Sequence, residues 1–352
     1  MAFTAGELQN IANAALDFYI KGDTFKQSIQ AKPLIAAMKS KQKMFPGGKG
    51  NIDLPVVGDY VTTLEGYTHN DQVSYANPAT IKRVAFPWKE LHAGISMTLT
   101  ELKHDGISVV DSLHGGSTSK HSGRELTVLT GLLENKLQDM GEGWSRSFNA
   151  MLWADGTQDA KEVPGIKSII TDDPTTGTVG GIDRATTVWW RNRSLVNDGV
   201  TDNRITSSTS LQTLTKTLRS EARQLTRYGG KPDLILCGSA FLEALESEVF
   251  EKGVYTQNGF VNNGTNDIGM ADIFMRGVGR FVYDPTLDDI GESKRAYFID
   301  TKGINLYAMT GEDMKQHTPA RPADQYVLYR AVTWTGGMVA RQCNSSAVYE
   351  IA

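Results

Sequence analysis

Cysteine is almost absent: the 352 residues hold only Cys237 and Cys343. Both fall in apolar, strand-like runs, which excludes a disulfide framework and predicts buried thiols in a reducing compartment. Long apolar stretches are missing too. Nowhere do about eighteen apolar residues follow one another, and the opening MAFTAGELQNIANAA lacks the basic and apolar regions of a secretory signal. A soluble protein made in the cytoplasm, without a membrane partner, is expected. No excess of positive charge exists either: 36 Lys and Arg against 40 Asp and Glu give a formal net charge of −4 and a pI near 5.9. That balance argues against a dedicated nucleic-acid binder, whose affinity comes largely from cations on phosphates.

Patterns that carry chemistry are equally scarce. The histidines, His69, His92, His104, His114, His121 and His317, form no i, i+4 pair and have no partnered cysteines, so no metal site is expected. PGGKGN (46–51) and GTVGG (177–181) are glycine-rich, but neither completes a phosphate-binding motif, and ordinary turns explain them. No Gly-x-Ser-x-Gly elbow occurs, and Cys237 lies in a run expected to be buried. The acid pairs Asp172–Asp173 and Asp288–Asp289 sit in turn sequence, where Asp is favoured for bonding its own backbone. Neither catalytic residues nor a cofactor are assigned.

What is present is architecture. With 40% hydrophobic and 22% charged residues, the chain has the composition of a folded protein. Thirty-five glycines and eleven prolines spread along it favour a mixed α+β fold over a helical bundle. Leu8, Ile11, Ala12, Ala15, Leu16 and Tyr19 predict a short amphipathic helix over residues 5–20. The basic segment Lys21–Gly50 follows, seven lysines against the single acid Asp23. Leu34, Ile35 and Met38 within it favour a protein contact over a nucleic-acid one, and an extended solvated arm is the plainest alternative.

Ile52, Leu54 and Val56 then alternate, as do Ala93, Ile95, Met97 and Leu99, predicting two strands paired as a long hairpin. Val84, Phe86 and Trp88 alternate in the opposite phase, and Pro87 marks a bend or change of face. The polar stretch 58–80 between them is far longer than the usual connection of about 4–6 residues. From Ser122 to Trp153, Leu126, Leu129, Leu133, Leu137, Met140, Trp144, Phe148 and Met151 recur at steps of three and four, which predicts a long amphipathic helix.

Farther on, Thr209 and Gln212 suggest a capping box for a helix carrying Leu211, Leu214, Leu218, Ala222 and Leu225. Leu234–Cys237 then reads as a buried strand, and Ser239 as the cap of the next helix. Residues 326–335 and 338–351 read as two strands joined by a tight turn at Gly336–Gly337, returning to the long helix.

This order of parts resembles the major capsid proteins of tailed bacteriophages with the Hong Kong 97 fold. The stretches LWADGTQDAKEVPGIKSIITDDPTTGTVGGIDRATTVWWRN (152–192) and KPDLILCGSAFLEAL (231–245) look like that family in wording as well as order. The resemblance implies an N-terminal arm over 1–50, an extended E-loop hairpin over 51–99 and a peripheral domain with its spine helix over 100–160. An axial domain would span 161–310, with the P-loop and return strands of the peripheral domain over 311–352.

It further implies a structural protein that assembles as pentamers and hexamers into an icosahedral shell in the host cytoplasm. Its partners would be copies of itself, a portal protein, a separate scaffolding protein, a decoration protein and nonspecifically contacted double-stranded DNA. Assembly contacts are then expected at Lys21, Lys26, Lys32, Lys39, Lys41, Lys43, Tyr60, Tyr67, Tyr75, Trp88, Glu312, Asp313 and Arg321. An encapsulin-type nanocompartment shell shares the implied fold, and an α/β enzyme with an unrecognised site is the alternative from another class.

Overall fold

The computed structural model describes residues 3–4, 32–58, 62–72, 75, 80–98, 100–101, 109–110, 123–251, 273–275, 278–317 and 327–352. The expected helix over 5–20, and Lys21, Lys26, Tyr60 and Arg321, lie outside the described residues.

Pro33 opens a helix, α1 (Pro33–Ser40), at the position where a missing N–H costs nothing. Leu34, Ile35 and Met38 lie on its inner face and are fully buried in this chain's own core. The reading that they meet another protein is therefore corrected: the chain folds α1 back between the long helix and a sheet. β1 (Lys43–Phe45) then runs parallel to residues 307–309.

β2 (Asn51–Val57) and β3 (Ile81–Pro87) form an antiparallel hairpin, with Ile52 opposite Phe86 and Leu54 opposite Val84. Ile52, Val56, Val84 and Phe86 are buried on one face, as their alternation demands. The expected partner of residues 52–56 was wrong, however. β4 (Lys89–Thr98) pairs with residues 327–336 instead, so the phase change around Pro87 and Trp88 marks the chain leaving one sheet for another.

α2 (Gly123–Trp153) is the long helix that the leucine spacing predicted. Leu137, Phe148, Leu152 and Trp153 on its inner face are buried, while Leu126, Leu129 and Leu133 lie outside the described side chains. A tight hairpin, β5 (Thr178–Val179) and β6 (Ile182–Asp183), turns at Gly180 and Gly181, both at positive φ.

After β7 (Arg193–Leu195) comes α3 (Thr213–Leu225), whose Leu214, Leu218, Ala222 and Leu225 share one buried face. Its start corrects the sequence reading. Gln212 adopts a left-handed conformation with no side-chain cap, and Leu211 is exposed. The cap comes instead from Glu248, fully buried, which accepts from Leu214 N (3.0 Å), Thr215 N (2.9 Å), Thr215 Oγ1 (3.0 Å) and Ser208 N (3.0 Å). A carboxylate supplied from another helix satisfies the orphan donors that a local cap would otherwise take.

Next follow β8 (Leu234–Cys237) and Glu248's own helix, α4 (Ser239–Glu251). Ser239 is the first residue of α4 rather than the cap ahead of it, and its N–H donates to Asp288 Oδ1 at 3.0 Å. β9 (Phe274–Met275), β10 (Gly279–Tyr283), α5 (Pro285–Asp289), β11 (Arg295–Ile299), β12 (Ile304–Met309), β13 (Lys315–His317), β14 (Val327–Ala340) and β15 (Ala347–Glu350) complete the chain.

One sheet has six strands in the order β9-β10-β8-β11-β15-β7. A second has five: β13-β14-β12-β1, with β4 pairing with Val327–Gly336 of β14. β11 and β12 are buried along almost their whole length, so their sequences are continuous apolar runs rather than alternating ones.

The expected hairpin at Gly336–Gly337 does not form. Both glycines lie inside β14, where a Cβ at Gly336 would overlap the Tyr307 carbonyl and one at Gly337 would come within 2.6 Å of the Pro87 carbonyl. Glycine here permits close approach of backbones rather than a turn. The chain reverses later, around the buried Cys343, and β15 joins the six-stranded sheet antiparallel to β11. Burial pushes the Cys237 thiol up to about 12 and the Cys343 thiol up to about 11.

Two substitutions test this account. Glu248→Ala should lower the unfolding free energy by about 3 kcal/mol in urea denaturation, because it strands buried donors, and Glu248→Gln should lose clearly less. Gly337→Ala should cost about 2 kcal/mol by the same measurement, since its Cβ cannot be accommodated without separating β14 from residue 87.

Candidate assembly surfaces

Residues 58–80 leave the β2–β3 hairpin and have no regular structure among the described residues. Leu64 is fully exposed, Tyr67 is 71% exposed and Tyr75 93%, with Val57 and Ile81 half exposed at the root. Large apolar and aromatic groups on a projecting segment have the character of a contact surface. Thr68 and Asp71 make one local turn, with Asp71 Oδ2 accepting from Thr68 N at 2.9 Å and Thr68 Oγ1 at 2.7 Å, which holds the Asp71 carboxyl below its usual range.

The root of this projection is held firmly. Gly180 O accepts from Ala85 N at 3.0 Å, and Val179 and Ile182 pack in the same cluster as Val84 and Phe86. Lys82 Nζ donates to Thr187 Oγ1 at 3.1 Å and lies 5.8 Å from the centre of the Trp189 ring, within cation–π range. Trp190, fully buried beside it, donates Nε1–H to Val179 O at 3.0 Å. Trp88, half-buried, donates Nε1–H to Lys49 O at 2.8 Å and so ties the strand switch to the turn before β2.

Two described lysines of the basic segment, Lys41 and Lys43, engage their own chain. Lys41 pairs with Asp233 and donates to Thr301 Oγ1 at 2.5 Å. Burial alone would raise the Asp233 carboxyl, but its bonds to Lys41 and Thr301 outweigh that and leave it lowered. Lys43 Nζ donates to Asn305 Oδ1 at 2.8 Å, and Gln42 Nε2 donates to Asp313 Oδ2 at 2.9 Å. Burial lowers the Lys39 ammonium, while the nearby Asp313 charge partly restores it. Lys32, just before α1, is half-buried.

At the other end of this contact, Glu312 pairs with Lys315. Lys39 and Asp313, both expected as assembly contacts, are thus brought together within one chain. Sequence reasoning missed Asp233 and Glu248; each is an acid placed by a distant element, and no local pattern announces that. Among the described residues no three His, Cys, Asp or Glu side chains lie together as metal ligands would.

Trp189→Ala should loosen the hairpin root. Limited proteolysis of the full chain should then cut within residues 58–80 several-fold faster, with little change in the thermal midpoint; an unchanged rate would show that the Trp189 contact does not hold the root.

No family model and no curated protein matches the sequence. Solved structures do. The capsid asymmetric unit of cyanophage A-1(L) has a TM-score of 0.57 at 14% identity, covering 90% of this chain and 92% of that one. The capsid of Myoviridae phage XM1 gives 0.52 at 8%, covering 89% and 90%. The capsid of an empty GTA particle gives 0.51 at 10%, covering 90% and 96%. Sequence identity is low in each case while coverage is nearly complete on both sides, so the fold of this chain is the mixed α+β Hong Kong 97-type capsid fold.

Proposed function

We propose that this chain is the major coat subunit of a tailed-phage head, assembling as pentamers and hexamers into an icosahedral shell around double-stranded DNA. The observation that carries the reading is that the likeness to capsid chains spans about nine-tenths of both partners, leaving little of the chain for another task. The projecting, aromatic-bearing segment 58–80 supports it, because a lone subunit gives that segment nothing to cover. In this reading the role is structural and non-catalytic, and the place of action is the virion, after assembly in the host cytoplasm.

The parts take corresponding roles. Residues 1–50 act as the N-terminal arm, 51–99 as the E-loop, 100–160 as the start of the peripheral domain with α2 as its spine, and 161–310 as the axial domain. Residues 311–352 supply the P-loop and β14, with β15 contributing to the axial sheet. Tyr60, Tyr67 and Tyr75 meet a neighbouring copy, and Arg321, Lys21, Lys26 and Lys32 extend such contacts. Lys39, Lys41, Lys43, Trp88, Glu312 and Asp313 act by fixing the elements from which the contacts project. A portal, a separate scaffolding protein and a decoration protein complete the assembly. Each contact of ordinary size, about 800 Å² per partner, is modest alone, and closure of the shell makes many of them cooperative.

Replacing residues 61–79 with a short Gly-Ser link tests the reading. The full chain, co-expressed with its scaffolding protein, should give round particles in negative-stain microscopy, and the shortened chain should give folded subunits without shells. Particle-free fields from the full chain under all these conditions would overturn the proposal.

A further inference from the structure

A cleft of about 240 Å³ opens where three turns meet: the connection from α3 to β8 at 229–231, the β11–β12 turn at 300–303, and residues 341–342 beyond β14. Lys231, Lys302 and Arg341 line it, against the single carboxylate of Asp300. Asp300 is buried, and its two oxygens accept the backbone N–H of Lys231 at 3.1 Å and of Lys302 at 3.0 Å. It thereby fixes the backbone from which both lysines rise, while their side chains remain exposed. Arg341 donates to Tyr307 Oη at 2.7 Å, which engages only one of the five N–H donors of a guanidinium.

The floor of the cleft is also unusual. Gly230 and Gly303 line it, and Ser345 lies against both: its Oγ is 2.9 Å from the Cβ that Gly230 lacks and 3.4 Å from the one that Gly303 lacks. This hydroxyl is fully buried and has no hydrogen-bond partner. An unpartnered buried hydroxyl calls for an explanation that the packing does not supply. Beyond Arg341 the positive charge continues to Lys43, which feels the Arg341 charge as well as its own burial.

We propose that this cleft is a phosphate-binding site for the backbone of nucleic acid, a role that rests on the shell reading for the source of that nucleic acid. Three cations converging on one concave site, with a fourth alongside, suit a run of repeated negative charges better than one isolated carboxylate. Exposed Lys and Arg side chains contact phosphates without regard to base sequence. The contact is therefore sequence-independent and sensitive to salt, and it is local, in a chain whose overall charge is −4.

The test uses the full chain and a mixed-sequence 20-base-pair duplex, read by fluorescence anisotropy across a salt series. Lys231→Glu with Lys302→Glu should weaken binding and flatten the salt dependence by about 2 in log–log slope, one for each phosphate no longer neutralised. Lys161→Glu, an exposed lysine elsewhere, should change neither. If the charge-reversed chain fails to fold, the Lys231→Gln, Lys302→Gln pair serves, with the same expected loss of slope.

Inorganic phosphate should compete with the duplex, and hydrogen exchange should show duplex-dependent protection at 229–231 and 300–303. An unchanged slope in the double variant overturns the site. Phosphate binding without duplex binding assigns the cleft to a small free anion and overturns it likewise. Shell formation by the double variant is scored in parallel, so that loss of the cleft and failure of the shell reading are told apart.

Discussion

The long helix ends inside the protein, and Trp153 is what holds it there. Fully buried, its indole donates to Asp284 Oδ2 at 3.2 Å and meets the Tyr297 ring edge-on at 4.9 Å. Asp284 in turn accepts from Thr286 N at 2.9 Å, capping the short helix after β10. One turn earlier Asn149 donates to Thr286 Oγ1 at 2.7 Å, and Phe148 meets Trp334 of the five-stranded sheet at 5.1 Å. Two aromatic residues on the last turns of one helix thus set the position of both sheets. Edge-to-face ring contacts and a buried indole bond are directional, so they fix an orientation that apolar packing alone leaves loose.

A second constraint governs the segment between that helix and β7, which has little regular structure. Short backbone turns satisfy part of its polar groups, and side chains satisfy several of the rest. Arg184, fully buried, donates to Thr171 Oγ1 at 2.7 Å and to Ile169 O, while Arg191 Nε donates to Arg184 O at 2.7 Å. Asn192 donates to Thr171 O at 2.9 Å. Burial lowers the Arg184 guanidinium from its ordinary value. This web carries the β5–β6 hairpin that grips the root of residues 58–80, so the projection rests on a platform built from buried hydrogen bonds.

Much of this was legible in the sequence because periodicity reports directly on faces. The leucine steps of α2 and the alternation of β2, β3 and β4 gave their elements correctly, and the phase change near Trp88 marked a real change of sheet. What failed did so for identifiable reasons. Gly336–Gly337 carries the same letters whether it turns the chain or lets two backbones touch, and only the position of Tyr307 and Pro87 decides. The capping pair Thr209–Gln212 was displaced by Glu248, a residue 36 positions beyond Gln212 that becomes its neighbour only after folding. Leu34, Ile35 and Met38 in the basic segment favoured contact with another protein, but one turn of helix carries all three into the chain's own core, and only the folded arrangement shows which partner they take. The contact residues of the projection were suggested by family likeness; the acids that hold Lys41 and Gln42 in place had no local signal.

The uninterrupted run of β14 has a mechanical consequence. Fourteen residues long, it would span roughly 45 Å if fully extended at about 3.3 Å per residue. Ten consecutive residues, Val327 to Gly336, face Thr98 to Lys89 across the ladder. Force entering through residues 58–80 and passed along the strand axis from β3 to β4 reaches that ladder in shear, so its rungs share the load and yield together instead of unzipping singly. A tight turn at Gly336–Gly337 would have cut this beam in two, leaving two short strands to carry separately what one now carries whole.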